Sequence, residues 1–162
     1  MLVRKKKSRL IVDTSGPALI DAVREGVFMI KPNLGELAAL QNATDKMDMA
    51  AAIKAATGLI RVHGCEMIAV SLGAEGALLV TPKNHYHCKP PAVKVLSTVG
   101  AGDSMVAGLV FALVNGYAES DILAYGVAAG TAATLHLGTE LCNAADTRRL
   151  FRSIVDGQAQ IP

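Results

Sequence analysis

Three short apolar runs, with helix-length segments between them, constrain this chain more than any other feature. Residues 10–13 (Leu-Ile-Val-Asp), 27–30 and 67–72 read as strands. The last is an unbroken apolar run, the mark of a strand covered on both faces. Gly16-Pro17 opens a helix over 16–24, because proline suits a first helical turn. Asn33 begins a second helix over 33–40. Asp45 or Asp48 caps a third, to about His63, with Ala51, Ala52, Ala55, Ala56 and Leu59 on one side. Strands alternating with helices predict an α/β fold: a mostly parallel sheet covered by helices, with ligands at the carboxyl ends of its strands.

After Leu72 the pattern changes. Residues 76–81, 86–89 and 93–96 read as short strands around Pro82-Lys83-Asn84 and Pro90-Pro91, which predicts an antiparallel edge. From Gly100 onward the reading is helical, over about 102–115, 120–137 and 144–155. The 162 residues fit one domain, 1–162, and are enough to bury a core without staples. Hydrophobic residues make up 51% but aromatics only 4%, so the core pairs small with aliphatic side chains and lets its elements approach closely. Scarce aromatics also disfavour single-stranded nucleic-acid binding, which needs ring faces for stacking.

Charge and cysteines narrow the setting. Arg4, Lys5, Lys6, Lys7 and Arg9 hold five of the sixteen basic residues, and the rest of the chain is slightly acidic. With no second basic cluster, this tract reads as a solvated helix end rather than a nucleic-acid arm. Cys65, Cys88 and Cys142 form no C-x-x-C pair and suit a reducing cytoplasm. No apolar run approaches a bilayer span, so no membrane partner is expected. In His85-Tyr86-His87-Cys88 two imidazoles alternate onto one strand face, but no further ligands complete a metal shell, and an edge strand is the better reading.

The strongest chemical signal is Ser97-Thr98-Val99-Gly100-Ala101-Gly102-Asp103-Ser104, followed by the apolar helix Met105-Val106-Ala107-Gly108-Leu109-Val110. Small residues let backbone N–H groups converge on one anion, and the helix adds its positive dipole end. Asp103 sits at that helix start, where a carboxylate can accept the proton of an attacking hydroxyl. A plain tight turn with Asp103 as N-cap is the competing reading.

This segment resembles the second signature of the PfkB (ribokinase-like) family of carbohydrate kinases. Two further segments agree in order and distance. Lys31-Pro32-Asn33-Leu34-Gly35-Glu36-Leu37 resembles the family's N-x-x-E motif, although Asn33 with Glu36 is equally a capping box. Val70-Ser71-Leu72-Gly73-Ala74-Glu75-Gly76-Ala77 resembles its nucleotide-contacting strand and turn. Asp13-Thr14-Ser15-Gly16 and residues 128–142 look most like the bacterial minor 6-phosphofructokinase branch.

The resemblance implies a three-layer, ribokinase-like (Rossmann-like) fold and ATP-dependent phosphoryl transfer to a phosphosugar. Fructose 6-phosphate is favoured, with fructose 1-phosphate or tagatose 6-phosphate as alternatives. Asp103 matches the catalytic base, and Gly100, Ala101 and Gly102 the anion hole. Lys31, Asn33, Ser71, Gly73, Gly76, Ser97, Val127 and Thr131 match nucleotide-side positions, although Val127 is equally ordinary core. Asn33 and Glu36 match the motif that organises Mg²⁺ through water. Ser97, Val99, Ala133, His136 (through its carbonyl), Gly138 and Glu140 match a loop that holds a monovalent cation such as K⁺. The resemblance also implies a homo-oligomer, and that residues 1–162 are the C-terminal, nucleotide-binding half of the family fold. On that expectation the sugar-binding half and its small β-lid lie outside the chain, and residues 1–9 end a helix. A truncated, non-catalytic nucleotide-binding or assembly module is the alternative.

Overall fold

The structure is a computed structural model, and it describes residues 8–43 and 47–158. Arg4, Lys5, Lys6, Lys7 and Asp45 lie outside the described residues, as does most of the segment read as a helix end. Five strands follow one another in the sheet order β1-β2-β3-β4-β5. They are β1 (Ile11–Val12), β2 (Met29–Ile30), β3 (Met67–Ser71), β4 (Ala77–Val80) and β5 (His85–Cys88). The first three run parallel, in register Ile11↔Met29↔Met67. The short loops from β3 to β4 and from β4 to β5 leave no room for a crossover, so those neighbours run antiparallel.

By its contacts the chain forms two compact units: residues up to Leu72 with Leu78–His85, and Gly73–Ala77 with residues from Tyr86 onward. The first holds the parallel strands and helices α1 (Gly16–Arg24), α2 (Leu34–Leu40) and α3 (Met49–His63). Pro17 lies in the first turn of α1. The Asp48 side chain caps α3 by accepting from the Ala51 N–H, and Gly64, left-handed, ends it. Leu19, Val23, Leu37, Ala56 and Leu59 turn inward onto Ile30, Ile68 and Val70. Met29 and Ile30 are both fully buried, and so are Ile68, Ala69 and Val70 in succession. These strands are covered on both faces, as the unbroken apolar runs predict.

The second unit holds α4 (Ala101–Val114), α5 (Glu119–Ala133) and α6 (Ala144–Gln158). Its small residues set how near α4 and α5 come. A Cβ on Gly108 would lie 2.7 Å from the Ala129 Cβ, and one on Gly126 would lie 2.7 Å from Leu109 Cδ2. Four of the six aromatics gather here, Tyr117 among them: Phe111 stacks on Tyr125 with centroids 4.9 Å apart, and Phe151 lies 5.1 Å from the same ring.

Two expectations are corrected. Residues 93–96 are not a strand, because the Leu96 and Ser97 N–H groups both turn to the Thr134 carbonyl at the end of α5. Helix α5 stops at Ala133 rather than reaching Leu137. The N–H groups of Thr134, Leu135 and His136 bond three residues back, which tightens the last turn, and Gly138 then goes left-handed.

Candidate functional site

In the first unit, polar groups collect just past the carboxyl ends of the parallel strands. Continuing the β1–β2 register by one residue sets Asp13 opposite Lys31. The Lys31 ammonium lies 3.3 Å from Asp13 Oδ1, with only a tenth of the lysine side chain exposed. Two residues on, Asn33 forms an isolated parallel bridge with Ser71, whose N–H donates to the Pro32 carbonyl. Lys31, Asn33 and Ser71 therefore share one sheet end. Asn33 is also the N-cap of α2: its Oδ1 accepts from the Glu36 N–H at 2.9 Å, and Glu36 Oε2 accepts from the Asn33 N–H at 2.8 Å. The N-x-x-E pair is a complete capping box.

In the second unit, α4 begins without any side-chain cap. Gly100 takes the N-cap position with φ 75°, and a Cβ there would also meet Leu141 Cδ2 at 2.8 Å. Only glycine meets both demands at low cost. The first helical bond runs from the Ser104 N–H to the Gly100 carbonyl, while the Ala101 N–H turns aside to Thr98. The Gly102 and Asp103 N–H groups thus have no intrahelical acceptor and lie at the positive end of the helix. The Asp103 carboxylate is exposed beside them. Asp103 is therefore not the N-cap; it stands at the third helical position.

A second segment braces this turn. Ser97 Oγ donates to the Gly138 carbonyl at 2.9 Å, and Ser104 Oγ accepts from the Cys142 N–H at 3.3 Å. The chain from Thr134 to Asn143 is thereby tied to residues 96–104. The His136 ring lies 3.5 Å from Glu140 and 3.5 Å from Asp146, and Asn143 Nδ2 approaches its Nε2 at 3.1 Å. Hydrogen bonds from Arg149, then from Asn143, hold the Asp146 carboxyl below the usual carboxylate range. Val127 and Thr131 lie one turn apart on α5, both buried, and the Thr131 hydroxyl donates to the Val127 carbonyl at 2.7 Å.

The profile of the pfkB family of carbohydrate kinases matches residues 2–146. This chain belongs to the pfkB family. It is 42% identical over 151 residues to ATP-dependent 6-phosphofructokinase isozyme 2 of Escherichia coli strain K12, covering 91% of this chain and 48% of that protein. It is 39% identical over 148 residues to 1-phosphofructokinase of Borreliella burgdorferi, covering 90% and 47%. A crystal structure of phosphofructokinase-2 from Escherichia coli in complex with potassium superposes with TM-score 0.89 at 40% identity, covering 94% of this chain and 49% of that one. The chain thus spans about half the length of the relatives it matches. The fold is the ribokinase-like α/β fold, with a mixed five-stranded sheet.

The positions expected on the nucleotide side divide between the units: Lys31, Asn33 and Ser71 in the first, Gly73, Gly76, Ser97, Val127 and Thr131 in the second. Asn33 Oδ1 and Glu36 Oε2 are already occupied by the capping box, while the second Glu36 oxygen stays outside it. That donor set fits a cation held through water rather than a direct cage, and no cluster of three acidic, histidine or cysteine ligands occurs among the described residues. The carbonyls of Ser97, Val99, Ala133, His136 and Gly138 are hard oxygen donors on segments that the Ser97–Gly138 bond joins, which fits a monovalent cation. In the His85–Cys88 strand, Cys88 is buried and burial pushes its thiol up to about 11, while the His87 ring approaches the Glu75 carbonyl.

Sequence reasoning missed the partners of these residues. Asp13 read as the polar end of an apolar run and as part of a family-like segment, with no partner assigned, yet it anchors Lys31. The contacts of Leu141 with Gly100 and of Ser104 with Cys142 carried no signal, because each joins residues about 40 positions apart along the chain. Asp13 alone was detectable, since an acid directly after a parallel strand falls at the sheet end where ligands gather.

Proposed function

We propose that this chain is the C-terminal, nucleotide-binding half of an ATP-dependent kinase that phosphorylates a phosphosugar, converting fructose 6-phosphate to fructose 1,6-bisphosphate. The observation that carries the reading is the uncapped start of α4, where unbonded N–H groups stand beside an exposed carboxylate. In this mechanism the sugar hydroxyl oxygen attacks the γ-phosphorus while Asp103 takes its proton. The bond from the γ-phosphorus to the bridging oxygen breaks, and ADP leaves. The Gly102 and Asp103 N–H groups, left without helical acceptors just after Gly100 and Ala101, neutralise charge on the transferring phosphoryl group. One such donor is worth roughly 3–4 kcal/mol in a closed site.

On this reading the first unit offers Lys31, salt-bridged to Asp13, with Asn33 and Ser71 as phosphate-side positions, and the second unit offers Gly73 and Gly76 as nucleotide-contacting positions. Ser97 braces the cation loop, while Val127 and Thr131 wall the adenine. Mg²⁺, held through water by Asn33 and Glu36, supplies charge neutralisation across the phosphates. Residues 97, 99, 133, 136, 138 and 140 would hold a potassium ion, which would add positive charge for the phosphates; the potassium complex of the Escherichia coli relative supports this part of the reading. Three free cysteines support a cytoplasmic setting, and a homo-oligomer is the expected assembly.

Relatives named 6-phosphofructokinase and 1-phosphofructokinase support a phosphofructokinase, with fructose 1-phosphate or tagatose 6-phosphate as alternative substrates. The test is ADP release with each sugar phosphate, beside ATP binding by calorimetry. Asp103→Asn is expected to lower sugar-dependent ADP release by about 10²–10⁴-fold and to keep ATP affinity. Near-normal turnover by that variant would overturn the role of Asp103. ATP binding without turnover on any hexose phosphate favours the second reading, a non-catalytic nucleotide-binding or assembly module. That reading rests on the half-length coverage of the relatives.

A further inference from the structure

We propose that His87 is a positioning residue for the nucleotide turn: its ring holds the Glu75 carbonyl, and with it residues 73–76, in the shape that receives ATP. The inference rests on the reading of that turn as a nucleotide contact.

The turn is a single 3₁₀ turn, Gly73–Glu75, closed by the Gly76 N–H donating to the Gly73 carbonyl at 3.1 Å. Both glycines are left-handed, with φ 62° and 86°. A short loop hinged on two glycines has many conformations open to it, so something outside the loop must select one. Three consecutive residues of β5 and its exit touch the turn, and all of them belong to the second unit. The Cys88 carbonyl occupies the space that a Cβ on Gly76 would need. This contact excludes side chains but sets no direction. Lys89 Nζ lies 3.4 Å from Glu75 Oε2, with both side chains about two-thirds exposed, so water screens the pair and it holds the turn weakly.

His87 makes the directional contact, with Nε2 2.9 Å from the Glu75 carbonyl oxygen. A carbonyl only accepts, so the ring carries a proton on Nε2 and donates it. The bond bridges twelve residues of sequence and fixes the carbonyl at the crest of the turn. His87 itself touches no nucleotide position and acts through the backbone it holds.

The experiment measures ATP affinity by calorimetry for the wild type, His87→Ala and His87→Gln, with amide hydrogen exchange at Gly76 and ring ¹⁵N NMR of His87. His87→Ala is expected to weaken ATP about three- to tenfold, the worth of one net hydrogen bond, and to speed exchange at Gly76. His87→Gln, whose amide can donate to the same carbonyl, is expected to recover ATP affinity and slow exchange. The ring should show a protonated Nε2 in the wild type. Unchanged ATP affinity in a folded His87→Ala variant overturns the proposal, as does a neutral ring protonated only at Nδ1 or a failure of Gln to rescue. If the wild type binds no ATP, the reading of the nucleotide site fails. Exchange at Gly76 still shows in that case whether His87 holds the turn.

Discussion

The starts of α2 and α4 both lie in motifs that resemble phosphate chemistry, yet they are built in opposite ways. Asn33 and Glu36 close the N-terminus of α2 reciprocally: the Asn33 side chain takes the Glu36 N–H and the Glu36 carboxylate takes the Asn33 N–H, while the Leu34 and Gly35 N–H groups stay outside the box. Gly100 has no side chain to offer, and it leaves the Gly102 and Asp103 N–H groups of α4 without an acceptor in the helix. A helix that caps itself gains local stability, about 1 kcal/mol for a good N-cap. A helix that forgoes its cap keeps a dipole end and donors for a ligand. The two helix starts therefore differ in what stands there: a reciprocal side-chain box at one, and a bare backbone turn beside the Asp103 carboxylate at the other.

Three substitutions test that division. The largest effect on stability is expected at the open helix. Gly100→Ala meets a left-handed backbone and the Leu141 side chain together, and urea unfolding should show a loss of about 1–2 kcal/mol from the backbone alone. A neutral result would mean that the turn relaxes and that glycine is not required there. Next, Asn33→Ala should lose about 1 kcal/mol through the cap. Glu36→Gln keeps the capping box and should stay within about 0.5 kcal/mol of wild type. If Glu36→Gln nevertheless weakens the Mg²⁺ dependence of ATP binding, the carboxylate serves a cation as well as the cap. If it does not, α2 is a scaffold only.

The smallest effect concerns Asp146, which braces the chain between α5 and α6. Its carboxyl titrates below the ordinary carboxylate range because Arg149 and Asn143 stabilise the charged form. The folded state therefore binds this proton less readily than the unfolded chain. The resulting stability is fully present above the ordinary range, near pH 4, and is lost as pH falls through the depressed value. Acid unfolding of Asp146→Asn should show a shallower loss over that window, and an unchanged slope would deny the pairing.

Much of this was legible in the residues. The limits of α1, the Asn33 and Asp48 caps and the double-sided burial of β3 follow from local rules about proline, caps and apolar runs. Residues 93–96 and the end of α5 misled, because each is decided by the other: Leu96 and Ser97 bond the Thr134 carbonyl rather than a neighbouring strand. The capping box and the N-x-x-E motif were indistinguishable in sequence, since they use the same two residues at the same spacing. The structure forms the box and leaves one Glu36 oxygen outside it, so the box leaves room for the motif reading. The His87 and Lys31 contacts were invisible, because neither residue carries a mark of the group it meets.

The amino-acid sequence by itself determined the α/β alternation and the family, and it marked the small-residue turn that precedes Asp103. Those depend on residue type and short-range spacing, which local backbone energetics read directly. Tertiary structure alone decided that Gly100 is left-handed against Leu141, that Asp13 anchors Lys31, that Ser97 reaches Gly138, and that the His87 ring holds the Glu75 carbonyl. Each of those contacts joins groups far apart in the chain or in adjacent strands, and it exists only once packing has brought them within hydrogen-bonding reach.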